Sequence, residues 1–370
     1  MRRLSRLGGS HRATGGRRNR YGMMRKLVLT ALLMPMMALA TTWYINGSTG
    51  SDANSGTSES FAKATIQAAI DASSTGDTIL VAPGTYAPIS TANKAITIRS
   101  TAGAASTTID GGDSSRCAYL GSDAEEITTI LDGFTLANGY MYISWIGAGG
   151  AGVCGGTVRN CIICDCRVEG SWSGYGGEGG GAYGSRLEKC EIRNCSALAG
   201  GGLRGGTAYG CVFVENYARD DGGATHSSLS VNCLMKGNYA YNTGGQGSGA
   251  AGCDVTNINC TIVGNHARSG GIFAGNSMLQ NCIVYDNVLD SGELIYTDSD
   301  QSTSMSSCYT SDPNFVDAAN GDFRLAAGSP CIDAGDNSYV TGDTDLAGNA
   351  RIANGTVDIG CYEYGAVPIG

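Results

Sequence analysis

Between Gly149 and Asn287 the chain repeats one short phrase, and this repeat constrains the fold more than any other feature of the sequence. The phrase is a Gly-Gly pair, a few mixed residues, then Cys-x-apolar-x-x-(Asn or Cys). It occurs as Cys161-Ile163-Cys166, Cys190-Ile192-Cys195, Cys211-Phe213-Asn216, Cys233-Met235-Asn238, Cys260-Ile262-Asn265 and Cys282-Val284-Asn287. Successive leading cysteines lie 29, 21, 22, 27 and 22 residues apart. A unit of about 22 residues with occasional insertions cannot bury an apolar face alone, so each unit has to stack on the last as a solenoid.

The heart of the phrase alternates with period two, and no unit holds a 3.6-residue apolar pattern long enough for a helix pair. Short strands follow. With 58 Gly among 370 residues and only 15% charged side chains, the composition suits tight turns between short strands, not helical surface. Ankyrin and tetratricopeptide arrays are therefore disfavoured, and the Leu-x-x-Leu-x-Leu frame of leucine-rich repeats is absent. The expected fold is all-β: a right-handed parallel β-helix of about three strands per coil, rising about 4.8 Å per coil. The column Cys and the apolar residue two later then share the interior, which also sets aside a disordered glycine-rich linker. Asn216, Asn238, Asn265 and Asn287 are expected at a left-handed turn position, stacked as an amide ladder. The Gly pairs at 149–150, 180–181, 201–202, 222–223 and 270–271 would supply a further corner.

Residues 1–22 carry seven Arg and no acid. Met24-Arg25-Lys26, the apolar run Leu27 to Leu39 and the ending Ala38-Leu39-Ala40 then read as a secretory signal, with an uncleaved anchor as the competing reading. Removing 1–40 leaves 15 basic against 33 acidic residues, a net charge of −18, which argues against nucleic acid or an anionic membrane as partner. From Thr41, Trp43 to Gly47 reads as a strand. Thr65 to Ala72 places Ile66, Ala69 and Ile70 on one helical face, with Gly76 as its stop. Such a helix can cover the open apolar end of the solenoid. Asp77 to Tyr86 and Ala95 to Ile98 read as strands of the first coils.

Tyr44-Ile45-Asn46-Gly47 through Asp52, the Thr65 helix, Gly76-Asp77-Thr78-Ile79 and Pro83-Gly84-Thr85-Tyr86 resemble the N-terminal region of secreted parallel β-helix proteins of the pectate-lyase-like superfamily. The Gly-Gly and Cys/Asn units resemble polymorphic outer-membrane-type repeats. Asp312-Pro313-Asn314-Phe315, Asp322-Phe323-Arg324-Leu325, Gly328 to Gly335, Asp345-Leu346-Ala347-Gly348 and Val357 to Glu363 resemble the choice-of-anchor Q module. These resemblances divide the chain into 1–40 (basic extension and signal peptide), 41–116 (N-terminal cap and first coils), 117–310 (β-helix repeats) and 311–370 (closing module). They imply a secreted or cell-surface protein and indicate fold more than activity. No transmembrane or basic sorting tail follows the module, so release or non-covalent surface attachment is expected.

The 15 cysteines are an odd number standing in register. Parallel neighbours point their Cβ atoms the same way and miss disulfide geometry, so the column reads as small apolar filling. Cys166 and Cys195, at turns of adjacent coils, are the better placed pair for a bridge. A zinc site at Cys161-Cys164-Cys166 lacks a neighbouring His or paired Cys cluster.

For catalysis, the densest cluster is Arg219-Asp220-Asp221 with His226. Arg204 and His226 each lie seven residues before a column Cys and so should stack, with Tyr183 before and Cys253 after. These weak catalytic candidates, Arg204, Asp220, Asp221 and His226, compete with solvated decoration of an outer face. No signature of a pectin hydrolase, a Ser/His/Asp triad or a phosphate loop accompanies them. No metal or cofactor is expected; calcium, which a lyase site held by carboxylates would use, finds no supporting motif. More informative are two insertions after the same turn, Tyr140 to Trp145 and Trp172 to Tyr175, with a third loop near Tyr239 and Tyr241. Tyr142, Trp145, Trp172 and Tyr175 are the predicted ligand-binding patch, suited to sugar rings or a protein surface. The expected function is adhesin-like surface binding of glycans or another partner. The alternative is a polysaccharide lyase or glycoside hydrolase, and the third reading is a structural surface protein. Mass spectrometry of the exported protein should find Thr41 as the first residue; retention of Met24 or Met1 would refute the processing site.

Overall fold

The computed structural model describes residues 39–121, 128–143, 149–170, 177–242, 249–292 and 303–369. The chain winds into a right-handed parallel β-helix of three long sheets, with 17, nine and seven strands. One coil shows the plan. Ala182–Tyr183 and Arg186–Glu188 lie in the first sheet, Glu191–Arg193 in the second and Ser196–Ala199 in the third. In two coils the pair in the first sheet fuses into single strands, Leu203–Tyr209 and Thr225–Val231. The expected three faces are present, the first of them bent.

The sequence repeat is the register of the second sheet. Ile163, Ile192, Phe213, Met235, Ile262 and Val284 are successive lateral partners, and all six are fully buried. Stacking the same apolar shape on itself forms one continuous core, in which identical neighbours pack without a register to choose. The column cysteines join it. All 15 cysteines are free thiols, and Cys308 alone is not buried. Burial pushes the Cys161 and Cys190 thiols well above their usual range. The Sγ atoms of Cys211 and Cys233 accept the backbone N–H of Cys190 and Cys211, at 3.4 Å each, so the column also carries a weak hydrogen-bond chain.

Asn216, Asn238, Asn265 and Asn287 form the expected ladder, all fully buried. The Oδ1 of Asn238, Asn265 and Asn287 each accepts both the backbone N–H and the Nδ2–H of the Asn one coil earlier, at 2.9 to 3.0 Å, and Asn216 Oδ1 accepts the Cys195 N–H at 3.1 Å. Each Nδ2 also donates to the carbonyl of the second-sheet residue one coil back, Ile192 for Asn216 and Phe213 for Asn238. The ladder residues are not the left-handed ones, however. That conformation belongs to the preceding residue, at Asp165, Asn194, Glu215, Gly237, Gly264 and Asp286, and again just before the column Cys, at Asn160, Lys189, Gly210, Asn232, Asn259 and Asn281, with φ from 50° to 64°. The backbone corner must turn first so that the next side chain can point inward. Cys166 and Cys195 occupy the same inward column. They form no bridge, and each thiol donates to backbone carbonyls instead, Cys164 O and Arg193 O.

The Gly-Gly corner has both reasons expected of it. Gly222 sits at φ +71°, and a Cβ at Gly180 would lie 2.5 Å from the carbonyl oxygens of Gly201 and Ser196.

At the N-terminal end, helix α1 (Ile66–Ala72) buries Ile66, Ala69 and Ile70. Thr65 caps it by accepting the Ala68 N–H at 3.2 Å, and Asp52 accepts from the amides of Ala64 and Thr65. It stops at Ser73, earlier than Gly76, where Lys94 Nζ donates to the carbonyls of Ile70 and Ser73, at 2.5 and 3.0 Å.

The C-terminal segment lies along the outside of the second sheet. Phe323 and Cys361 pack on Leu234 and Val263, and Leu325, Cys331 and Ile359 pack on Ile283. Polar bonds fix the dock: Asn281 and Asp336 exchange two hydrogen bonds, and Cys361 N–H donates to Thr261 Oγ1. Inside this segment Arg351 is 1% exposed and faces Glu363 at 3.6 Å. Glu363 accepts the amides of Ala353 and Asp358, and Asp358 accepts those of Asp333 and Tyr364. The acidic motifs of residues 333–363 are thus internal anchors for an irregular backbone.

Fully buried in the column, Cys211, Cys233 and Cys260 should resist thiol reagents under native conditions and react only as the coil opens. Cys233→Asp should lower stability by more than about 4 kcal/mol, because it buries a carboxylate with no partner. Rapid native-state labelling would overturn the assignment.

Candidate functional site

The third sheet is formed by Tyr140–Ile143, Arg167–Gly170, Ser196–Ala199, Tyr217–Asp221, Tyr239–Ala240, His266–Ala267 and Val288–Leu289. Its inward side is mostly small, with Ala197, Ala218, Ala240 and Ala267 buried. Side chains alternate along a strand, so the neighbours of these alanines face solvent. Their register sets up an outward column of Tyr140, Arg167, Ser196, Tyr217, Tyr239 and His266. Ring centroids lie 5.7 Å apart for Tyr217 and Tyr239, and 5.1 Å for Tyr239 and His266. The Arg167 guanidinium sits 5.1 Å over the Tyr140 ring and pairs with Glu169 at 3.1 Å. Beside this row, Tyr142 is 63% and Tyr241 39% exposed, with Arg268 stacked 4.3 Å over Tyr241. An open groove of about 510 Å³ runs between Tyr142, Arg167, Tyr217 and Arg219.

Tyr142 was expected on an inserted loop; it lies instead on the first strand of this sheet, laterally paired with Glu169. Trp145, Trp172 and Tyr175 lie outside the described residues. The row contains Tyr217, which the spacing argument did not name, and Tyr239, which lies on a strand rather than marking a loop. Their signal was available: each directly follows a ladder Asn, so the same phrase that buries Asn216 and Asn238 must turn the next residue outward.

The catalytic candidates occupy the corner where the third sheet passes into the first. Tyr183, Arg204, His226 and Cys253 are successive lateral partners, as the seven-residue offset implied. Arg204 Nε pairs with Glu178 at 3.4 Å. Asp220 turns to Arg219 at 3.8 Å and is not part of the tight cluster. That cluster is Asp221, His226 and Cys253, whose ligand-capable atoms all lie within 4.8 Å of one another. Burial pushes the Asp221 carboxyl up to about 6 and the Cys253 thiol up to about 12, and burial with the nearby Arg204 charge pulls His226 down to about 4. At neutral pH this corner therefore holds a neutral imidazole beside a carboxylate. The Cys161-Cys164-Cys166 triplet gives no such cluster among the described residues: Cys161 and Cys166 face the interior at different corners, one on each side of the strand Ile162–Cys164.

No protein-family profile matches the chain, and no curated protein sequence matches it. Solved structures do. A crystal structure of pectate lyase Pel9A superposes with a TM-score of 0.53 at 16% identity, covering 89% of this chain and 97% of that one. A rhamnogalacturonan lyase gives 0.47 at 13% identity, over 75% and 91% of the two chains. Pectin methylesterase PemA from Erwinia chrysanthemi gives 0.35 at 11%, over 74% and 90%. The likeness to pectate lyase Pel9A is one of fold: the two chains share the parallel β-helix along nearly their whole length.

Proposed function

We propose that the outer face of the third sheet binds glycan chains outside the cell. One observation carries this reading. Aromatic and cationic side chains stand in a single row on successive coils beside an open groove, and the rise of the solenoid repeats them along a line. A row of rigid flat rings offers stacking faces to successive sugar units at small entropic cost, while Arg167 and Arg219 offer donors to hydroxyl or carboxylate groups. Trp145, Trp172 and Tyr175 follow neighbouring strands of this sheet in sequence and extend the same proposal. Among the described residues no helix is long and apolar enough to cross a membrane. The proposed signal cleavage has support as well. The Thr41 N–H donates to Asp77 Oδ1 at 2.7 Å, and Asp77 also holds Trp43 Nε1 at 2.9 Å. Cleavage after Ala40 would place a new ammonium on that carboxylate.

A second reading, cleavage of the bound polysaccharide, is favoured by Asp221, whose carboxyl is pushed up to about 6 at the edge of this face, close to the working range of a general acid or base. A panel of acidic and neutral polysaccharides separates the readings when binding and newly formed unsaturated or reducing ends are both measured. Tyr217→Ala combined with Tyr239→Ala should weaken binding at least about tenfold, ~1.4 kcal/mol, with little change in melting temperature, because both rings are outside the core. Unchanged binding by the double variant would refute the assigned face.

A further inference from the structure

We infer that Asp221, His226 and Cys253 form a site for a zinc-class divalent cation, with three protein ligands and a fourth position open to water. The inference does not depend on glycan binding.

The topology assembles the ligands from two adjacent coils. His226 and Cys253 are lateral partners on neighbouring parallel strands, so their side chains leave the first sheet in the same direction. Asp221 ends the third-sheet strand of the His226 coil. The left-handed Gly222, at φ +71°, lies between that strand and the His226 strand, at the corner that brings Asp221 near His226. Their ligand-capable atoms fall within 4.8 Å of one another. Donors on a tetrahedral ion with bonds of 2.0 to 2.3 Å are separated by about 3.4 Å, so small rotamer adjustments close the site.

Two further observations point to a cation. The Asn242 side chain hydrogen-bonds the Asp221 carboxyl, yet Asp221 Oδ1 is buried without a partner of its own, a costly state that a metal bond would relieve. Asp254, adjacent to Cys253, bears electrostatically on all three ligands. Its Oδ1 accepts the Asn276 N–H at 2.9 Å, which fixes this second acidic side chain beside the cluster. The guanidinium of Arg204, one coil away, opposes a cation here, and its pairing with Glu178 at 3.4 Å offsets part of that charge. One thiol, one imidazole and one carboxylate suit zinc or cobalt; calcium and magnesium require an oxygen cage.

The test uses the full chain, stripped with chelator and dialysed against zinc or cobalt. One equivalent of metal should bind, cobalt should show a near-ultraviolet thiolate charge-transfer band, and zinc should raise the melting temperature by at least ~3 °C. Cys253→Ser should lose the band, and both Cys253→Ser and His226→Gln should weaken zinc binding more than about tenfold while still melting cooperatively without metal. Cys164→Ser should leave all three readings intact. A wild-type cobalt spectrum without a thiolate band, or zinc content equal in wild type and both ligand variants, would overturn the assignment.

Discussion

A parallel solenoid has no partner for its coils except the coils above and below, so every buried polar group has to be satisfied along the stack. The amide ladder is where this chain meets that demand most completely. From Cys195 N–H through Asn216, Asn238 and Asn265 to Asn287, each carboxamide links its own coil to the one before, and the amide of each rung finds its acceptor in the next. The ladder fixes register as well as energy, because a slip by one residue would break every rung and turn the apolar column outward. The left-handed residue before each ladder position is the local strain that accompanies this arrangement, and most of these positions are Asn, Asp or Gly, which tolerate it best.

The interior explains which faces remain for function. Helix α1 covers the first coils, and the C-terminal segment covers the outside of the second sheet with Phe323, Leu325 and Ile359. The first sheet carries a tight polar net, in which Asp132 accepts Arg99, Arg159 and Asn160. The third sheet is different. Its interior side chains are small, and its exterior carries the tyrosine row and the groove. The corner beside it gathers the half-buried acid and imidazole of Asp221 and His226 and the buried thiol of Cys253 into one cluster.

Much of this was legible from spacing. The Cys and apolar columns, the amide ladder and the Arg204–His226 stack all follow from counting residues within a repeat, because in a solenoid equal offset means lateral contact. Three things were not. The φ sign at the corners depends on the residue before the ladder, whose identity varies from Asp165 to Gly264. The turn that returns Asp221 toward Cys253 is set by backbone geometry at Gly222, which offset counting cannot supply. The docking of residues 312–363 on the second sheet joins an irregular segment to Leu234, Val263 and Ile283, far apart in sequence and linked by no period. Tyr217 and the strand position of Tyr239 are legible from the residue after each ladder Asn, whereas surplus loop length points to residues 144–148 and 171–176, which lie outside the described residues.

The central claim is that buried amides, not apolar filling alone, hold the coils in register. Chemical unfolding of Asn238→Leu tests it most directly. This change keeps the volume and adds apolar surface, but it removes the acceptor of the Asn216 N–H and Nδ2–H, both buried. The account predicts a loss of about 3 to 5 kcal/mol, against under about 0.5 kcal/mol for Asn276→Ala on the exposed surface. A loss below about 1 kcal/mol for Asn238→Leu, or a gain, would contradict it.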